Sequence, residues 1–292
     1  MGPGVEGPSY HELRFPLLEK TVKRTQTLKE KYIIAWKQYG CSPMADGWTD
    51  KKGRHLINFL VNSPEGTFFF ESIDASSQAQ VASLLTDLLL AKIEEIGKEY
   101  VVQIVTDNGA NFKAVGKILE QRIPTFYWTP CAAHCLDLML EDIGKLSVFR
   151  AKIDNARRVT TYMYKHVRLL NAMREKTDGN NLVRPGPTRI ATSFLTLQSL
   201  YKHRDALRSL FFSEDWTASK STNTNAGRLV ANTVLFSPFW TGVEYCIKAS
   251  HPLLIVLRIV DWDEKPAMSE LAVAMNEAKR KSKKILKKSQ IC

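Results

Sequence analysis

The chain has 292 residues, 44% of them hydrophobic and 24% charged, a balance that excludes a disordered or collagen-like polypeptide and leaves room for one large domain or two modest ones. Five cysteines without paired spacing make no disulfide scaffold and point to a reducing compartment. The formal net charge is +11, the opening Met1-Gly2-Pro3-Gly4-Val5 has no apolar leader, and the longest apolar run, Leu253 to Val260, is broken by Arg258, so a soluble intracellular protein with no membrane partner is expected.

Residues 1 to about 15 are Gly- and Pro-rich and read as disordered. Phe15 to Gln38 reads as a helix with a basic face, closed by Gly40. Three consecutive strands follow, Ser42 to Gly47, His55 to Asn62 and Thr67 to Ile73, with Ser63-Pro64-Glu65-Gly66 as the turn between the last two. Ser76 and Ser77 stand where a helix N-cap is expected, and Val81, Leu84, Leu85, Leu88, Leu89, Ile93 and Ile96 recur at helical spacing up to Gly97. The nearly all-apolar run Val101 to Val105 reads as a strand buried on both faces, ending in Thr106-Asp107-Asn108-Gly109. A helix from Phe112 to Gln121, Pro124 and a short strand from Thr125 to Trp128 complete a β-β-β-α-β-α-β order. That order is an α/β sheet in which three antiparallel strands lead into parallel ones.

Beyond Pro130 the pattern is helical. Cys131 to Ile143 is one helix, and Leu146, Phe149, Ile153, Ala156, Met163, Val167 and Leu170 form the apolar stripe of another, with Arg157, Arg158 and Lys165 off the stripe. A loop over Asp178 to Pro187, a helix over Phe194 to Phe212 and a polar connector over Trp216 to Asn225 follow. Ser237-Pro238 then reads as an N-cap with proline in the first helical position. Composition breaks near residue 144, so the expected divisions are a disordered start and leading helix over 1–39, an α/β core over 40–144, a helical region over 145–278 and a basic tail over 279–292.

Charge is unevenly spread. Lys145 to Arg208 holds 14 Lys+Arg against 4 Asp+Glu, Lys279 to Lys288 holds 7 basic residues and no acid, and the remainder sums to −6. The basic part reads either as a phosphate-binding surface or as a solvated helical face.

The chemistry rests on two aspartates. Asp46 ends the first strand and Asp107 ends the fourth. If those strands are neighbours, the carboxylates project from adjacent strand ends, repel each other and call for a cation between them. Hard divalent ions such as Mg²⁺ take oxygen ligands, and a metal pair roughly 4 Å apart clamps both oxygens of an in-line phosphoryl transfer. Gly47 would let a backbone or substrate approach closely. Either aspartate alone reads as an ordinary strand-ending turn, since Asp-Gly and Asp-Asn-Gly are common turn sequences. The pair is what points to function.

The element order resembles the ribonuclease-H-like fold, followed by a helical insertion domain, and the motifs resemble those of the hAT transposases. Gly40-Cys41-Ser42-Pro43-Met44-Ala45-Asp46-Gly47-Trp48-Thr49-Asp50 is similar to that family's first-aspartate motif, and Val102-Gln103-Ile104-Val105-Thr106-Asp107-Asn108-Gly109-Ala110-Asn111 to its second. Trp128-Thr129-Pro130-Cys131-Ala132-Ala133-His134-Cys135-Leu136-Asp137-Leu138 resembles its Cys-x-x-His segment. Thr188-Arg189-Ile190-Ala191-Thr192 resembles its arginine motif, with Ile190 where an aromatic residue is usual, and Pro252 to Met268 its helical insertion region.

The resemblance implies a nuclear, DDE-type, metal-dependent enzyme that cuts DNA at transposon ends and joins those ends to a target. Asp46 and Asp107 would be the first two ligands of a two-ion Mg²⁺ (or Mn²⁺) site. The family's third carboxylate, a glutamate, lies in a C-terminal segment that also mediates dimerisation. With the sequence ending at Cys292, the expectation is a core that is inactive as it stands and homo-oligomeric only if that segment is supplied. Asp137 and Glu141, one helical turn apart, are the in-chain candidates for a substitute. Cys131 and His134 mark a family motif near the site. A structural zinc ion needs four ligands and spacing nominates neither His166 nor Cys246 as partners, so zinc is not expected. Arg189, and more weakly Arg157, Arg158 and Lys165, are the nucleic-acid-binding candidates. Lys279-Arg280-Lys281-Ser282-Lys283-Lys284 reads as a nuclear import signal, a second DNA contact or a solvated tail. Two functions are therefore carried forward: a transposase-derived nuclease and strand transferase, and a domesticated, non-catalytic nucleic-acid-binding or protein-interaction module.

Overall fold

The computed structural model describes residues 7–76, 82–186, 190–261 and 268–289. The chain divides into two units, Met1–Cys131 and Ala132–Cys292. The division falls earlier than the composition break near residue 144.

The first unit is built on five strands: β1 (Ser42–Thr49), β2 (His55–Ser63), β3 (Gly66–Asp74), β4 (Gln103–Thr106) and β5 (Tyr127–Pro130), in the order β3-β2-β1-β4-β5. β1, β2 and β3 pair antiparallel, whereas β4 runs parallel to β1 and β5 parallel to β4. Alternation drives β2, whose Ile57, Phe59 and Val61 turn one face into the core. The β1–β2 turn is closed by Asp50. Its Oδ1 accepts the backbone N–H groups of Lys52 and Arg54, its Oδ2 pairs with the Arg54 guanidinium at 2.8 Å, and Gly53 supplies the left-handed residue at φ +79°. The Arg54 backbone N–H, then its guanidinium, hold the Asp50 carboxyl below its ordinary value.

Three strands differ from the expectation. β1 continues to Thr49, two residues past Gly47, so Asp46 lies inside the strand and does not end it. Val101 makes only an isolated bridge with Cys41, and the paired part of β4 begins at Gln103. The run is buried on one face only, with Val102 48% exposed and Gln103 and Val105 half-buried against the buried Ile104 and Thr106. β5 lies two residues later than Thr125 to Trp128, because Thr129 and Pro130 continue the ladder opposite Val105 and Thr106. Proline reads as a terminator, yet at the end of an edge strand its missing N–H costs no ladder bond. Cys131, expected to open a helix, extends this ladder through its N–H to the Thr106 carbonyl at 2.6 Å.

Helices α1 (Tyr10–Arg14), α2 (Pro16–Tyr39), α3 (Ala82–Ile96) and α4 (Ala110–Arg122) complete the unit. The stretch read as disordered is thus helical from Tyr10. Ser9 and Glu12 form a capping box, a local signal that outweighs the surrounding glycines and prolines. The Ser76 hydroxyl donates to Asp74 and accepts the His55 N–H at 3.0 Å. Ser77 and Val81 lie outside the described residues. Leu85, Leu89, Ile93 and Ile96 bury the face of α3, and Ile104, Val115 and Leu119 bring β4 and α4 into the same core. Lys92 on α3 pairs with Glu71 on β3 and Glu95, and Lys29 of α2 sits 4.2 Å over the Phe70 ring.

The second unit is helical: α5 (Ala132–Lys145), α6 (Ser147–Lys165), α7 (Val167–Lys176), α8 (Ala191–Lys202), α9 (Arg204–Leu210), α10 (Glu214–Thr217), α11 (Asn225–Leu235), α12 (Ser237–Val260) and α13 (Met268–Ser289). The stripe from Leu146 to Leu170 is two helices rather than one. His166 turns extended (φ −118°, ψ 98°), its ring 4.1 Å from that of Tyr162 and its Nδ1 2.8 Å from the Tyr162 carbonyl. The helix expected over Phe194 to Phe212 likewise breaks at His203. The connector over Trp216 to Asn225 contains the end of α10 and a short 3-10 turn over Lys220–Asn223. α12 does begin at Ser237 with Pro238 in its first turn, but the cap position belongs to Phe236. The basic residues from Lys279 are no separate tail: they continue α13, whose Ala278 is buried in the unit's core. Among the described residues no helix is long and apolar enough to cross a membrane.

Packing and burial give two expected outcomes. At Gly116 of α4 a Cβ would stand 2.4 Å from the Trp128 indole of β5, so Gly116→Ala should destabilise the protein by about 2 kcal/mol through overpacking, read from denaturant unfolding. Burial pushes the thiols of Cys41 and Cys246 up to about 12. An unfolded thiol ionises near pH ~8.5, so a raised folded value lowers stability as pH climbs above that point. A charged maleimide at pH 8 should accordingly label Cys41 and Cys246 only on unfolding, as peptide mapping would show.

Candidate functional site

The two aspartates are positioned by one short parallel pairing, in which Met44 faces Val105 and Ala45 faces Thr106. Asp46 is the next residue of β1 and Asp107 the first residue past β4, on strands whose spacing is about 4.8 Å. Ala45 and Thr106 are buried at 3% and 2% exposure, whereas Asp46 is exposed and Asp107 half-buried, as the alternation of strand faces requires.

Asp107 is held on both sides. Its Oδ1 accepts the Gly109 N–H at 2.7 Å, and its own carbonyl accepts the Thr106 hydroxyl at 2.9 Å. That hydroxyl in turn accepts the Trp128 indole N–H at 2.9 Å, while the Trp128 ring lies against Gly116. A Cβ at Gly109 would stand 2.9 Å from the Asp107 Oδ1, so glycine is what lets the carboxylate fold back over its own loop. At Gly47 a Cβ would meet only the Phe112 ring, at an ordinary 3.7 Å, so packing within the chain does not demand the clearance expected there.

A cleft of about 270 Å³ opens beside Asp107 and the end of β1, lined among others by Trp48, Thr49, His55, Asp107 and Asn111. His55, absent from the sequence-derived site, faces Thr49 across β1 and β2 with its Nδ1 2.9 Å from the Thr49 hydroxyl. Thr106, Trp128 and His55 carried no signal of their own. Only the sheet register brings Thr106 to Asp107 and Trp128.

Asp137 and Glu141, the in-chain candidates for a third carboxylate, each have a partner within the helical unit. Asp137 Oδ1 accepts the Ala191 N–H at 3.0 Å and so caps the start of α8, where Ile190 provides no side-chain cap. Glu141 pairs with Lys145 at 2.9 Å. Among the described residues no three His, Cys, Asp or Glu side chains gather so as to hold a metal ion. Cys131 is half-buried at the end of β5, and His134 is exposed in the first turn of α5.

Arg157, Arg158 and Lys165 are exposed on α6, opposite the buried Ile153, Ala156, Val159 and Met163. Arg158 also donates to Asn155 at 2.9 Å. Arg189 lies outside the described residues. The first unit holds 15 Lys+Arg and 15 Asp+Glu, the second 26 and 15, so the whole net charge of +11 belongs to the helical unit.

These features define a class: a mixed α/β unit with two aspartates side by side on neighbouring parallel strands, one within β1 and one just past β4, joined to a basic helical unit. Residues 8–159, just over half of the chain, match the family model described as Domain of unknown function (DUF659), and the chain belongs to that family, whose domain occurs in hAT-family transposase-like proteins. No curated protein matches it.

The assignment of Asp137 to a cap is testable. Asp137→Ala should cost about 1 kcal/mol in denaturant unfolding, and Asp137→Asn, which keeps an acceptor for the Ala191 N–H, much less.

Proposed function

We propose that this chain is the core of a hAT-type DNA transposase, with a ribonuclease-H-like α/β unit and a helical insertion domain, and that Asp46 and Asp107 are its first two metal-binding carboxylates. The single observation behind this reading is the register of β1 against β4, which brings the two acids out on adjacent parallel strands one step past Ala45 and Thr106.

The donors fit Mg²⁺ or Mn²⁺ in kind, being hard carboxylate oxygens, but not in number. Asp107 has one oxygen engaged by the Gly109 N–H, and no third acidic ligand joins the pair among the described residues. No cleavage step is therefore assigned to the chain's own residues. They supply a cation half-site, and strand cleavage and transfer require a carboxylate from outside those residues. The helical unit, with the whole net positive charge, supplies phosphate contacts through Arg157, Arg158, Lys165 and Arg189, and the basic stretch from Lys279 suits a nuclear address.

A second reading draws on that same charge division: a domesticated module that binds nucleic acid through its helical unit and no longer cuts it. Titration with Mn²⁺, followed by electron paramagnetic resonance, separates the two. The transposase core should bind Mn²⁺ about tenfold or more weakly once Asp46→Asn or Asp107→Asn is introduced. Mn²⁺ binding that both variants leave unchanged, with DNA binding intact, would establish the non-catalytic module instead.

A further inference from the structure

The hairpin joining β1 to β2 carries features that the acidic pair does not use. Trp48 lies two residues after Asp46 on the same strand, and hence on the same face. It is 46% exposed, whereas Trp36, Trp216 and Trp240 are buried and Trp128 is tied to Thr106. It also forms a wall of the cleft that holds Asp107.

Immediately beyond it stand Lys51, Lys52 and Arg54. Asp50 occupies the Arg54 guanidinium, but Lys51 and Lys52 are exposed and neither ammonium has an ion-pair partner among the described residues. Because the unit as a whole has equal numbers of basic and acidic residues, this cluster is local rather than part of a general basic surface. Asp50 and Gly53 fix the turn, so the lysines and the indole are presented from a preorganised element. An exposed aromatic face next to unpaired lysines is what an unstacked nucleotide requires, with the ring taking the base and the ammonium groups the flanking phosphates.

We propose that the hairpin Gly47–His55 grips a single-stranded stretch of DNA at the mouth of the cleft, Trp48 stacking on one base and Lys51 and Lys52 contacting its phosphates. The assignment rests on the reading of the cleft as the place where DNA is handled, and it names the strand form and the residues that hold it.

The test measures binding of a fluorescein-labelled oligothymidylate and of a duplex of equal length in EDTA. No divalent ion is then involved, and the outcome is independent of the Mn²⁺ titration of Asp46 and Asp107. Trp48→Ala should weaken single-strand binding on the order of tenfold, and Trp48→Phe should recover most of the loss. The duplex, held by the charge of the helical unit, should change less than about twofold. The double variant Lys51→Ala/Lys52→Ala should lower the slope of log affinity against log salt by about 1.4 for the single strand, at roughly 0.7 per phosphate contact. Unlabelled oligothymidylate should quench tryptophan fluorescence in the wild type and in the lysine variant, and not in Trp48→Phe. Single-strand affinity unchanged in both Trp48→Ala and the lysine variant would overturn the proposal, as would equal losses for single strand and duplex. In either case retained Mn²⁺ binding would leave the acidic pair's assignment standing.

Discussion

Two register pairs between β1 and β4, Met44 with Val105 and Ala45 with Thr106, are the constraint on which the acidic site depends. β4 has only four residues and could not hold its place by backbone hydrogen bonds alone. It is anchored at its start by the Cys41–Val101 bridge, in its middle by the fully buried Ile104, and at its end by Thr106. Thr106 works on three fronts: its methyl side is buried, its hydroxyl links Trp128 to the Asp107 carbonyl, and its own carbonyl takes the Cys131 N–H. A buried hydroxyl that both donates and accepts has no spare freedom, so the loop carrying Asp107 inherits the rigidity of the sheet.

The division of charge suits a division of labour. The α/β unit is electrically balanced, with 15 Lys+Arg against 15 Asp+Glu, which suits the cation half-site proposed for Asp46 and Asp107. The helical unit carries the net charge of +11, which suits a sequence-independent hold on a polyanion. Asp137 of α5 accepts the Ala191 N–H at the start of α8. An α-helix leaves its first N–H groups without partners, and a carboxylate from another helix is one of the simplest ways to satisfy them.

Much of the architecture was legible in the residues. Period-2 alternation in β2 and the helical spacing of Leu85, Leu89, Ile93 and Ile96 each report which face is buried, and the removal of apolar surface from water is the dominant force that drives a chain to fold. The misplacements share one cause. The early start of the N-terminal helices turned on a Ser9–Glu12 capping box, and the breaks at His166 and His203 on local backbone geometry. The slip of β5 turned on a ladder that absorbs a terminal proline. Each is a matter of one or two hydrogen bonds, too small to mark the hydrophobic pattern.

The sequence by itself determined the element order and the concentration of positive charge in the C-terminal half, because these follow from residue type and spacing along the chain; it ended β1 too early, at Gly47, where the strand continues to Thr49. Only the tertiary structure decided that Thr106, Trp128 and Gly116 hold Asp107 in place, that Asp137 meets the start of α8, and that Trp48 stands exposed at the cleft. Those facts depend on which distant segments meet, and no local pattern encodes a contact between residues that lie tens of positions apart and become neighbours only when the core closes.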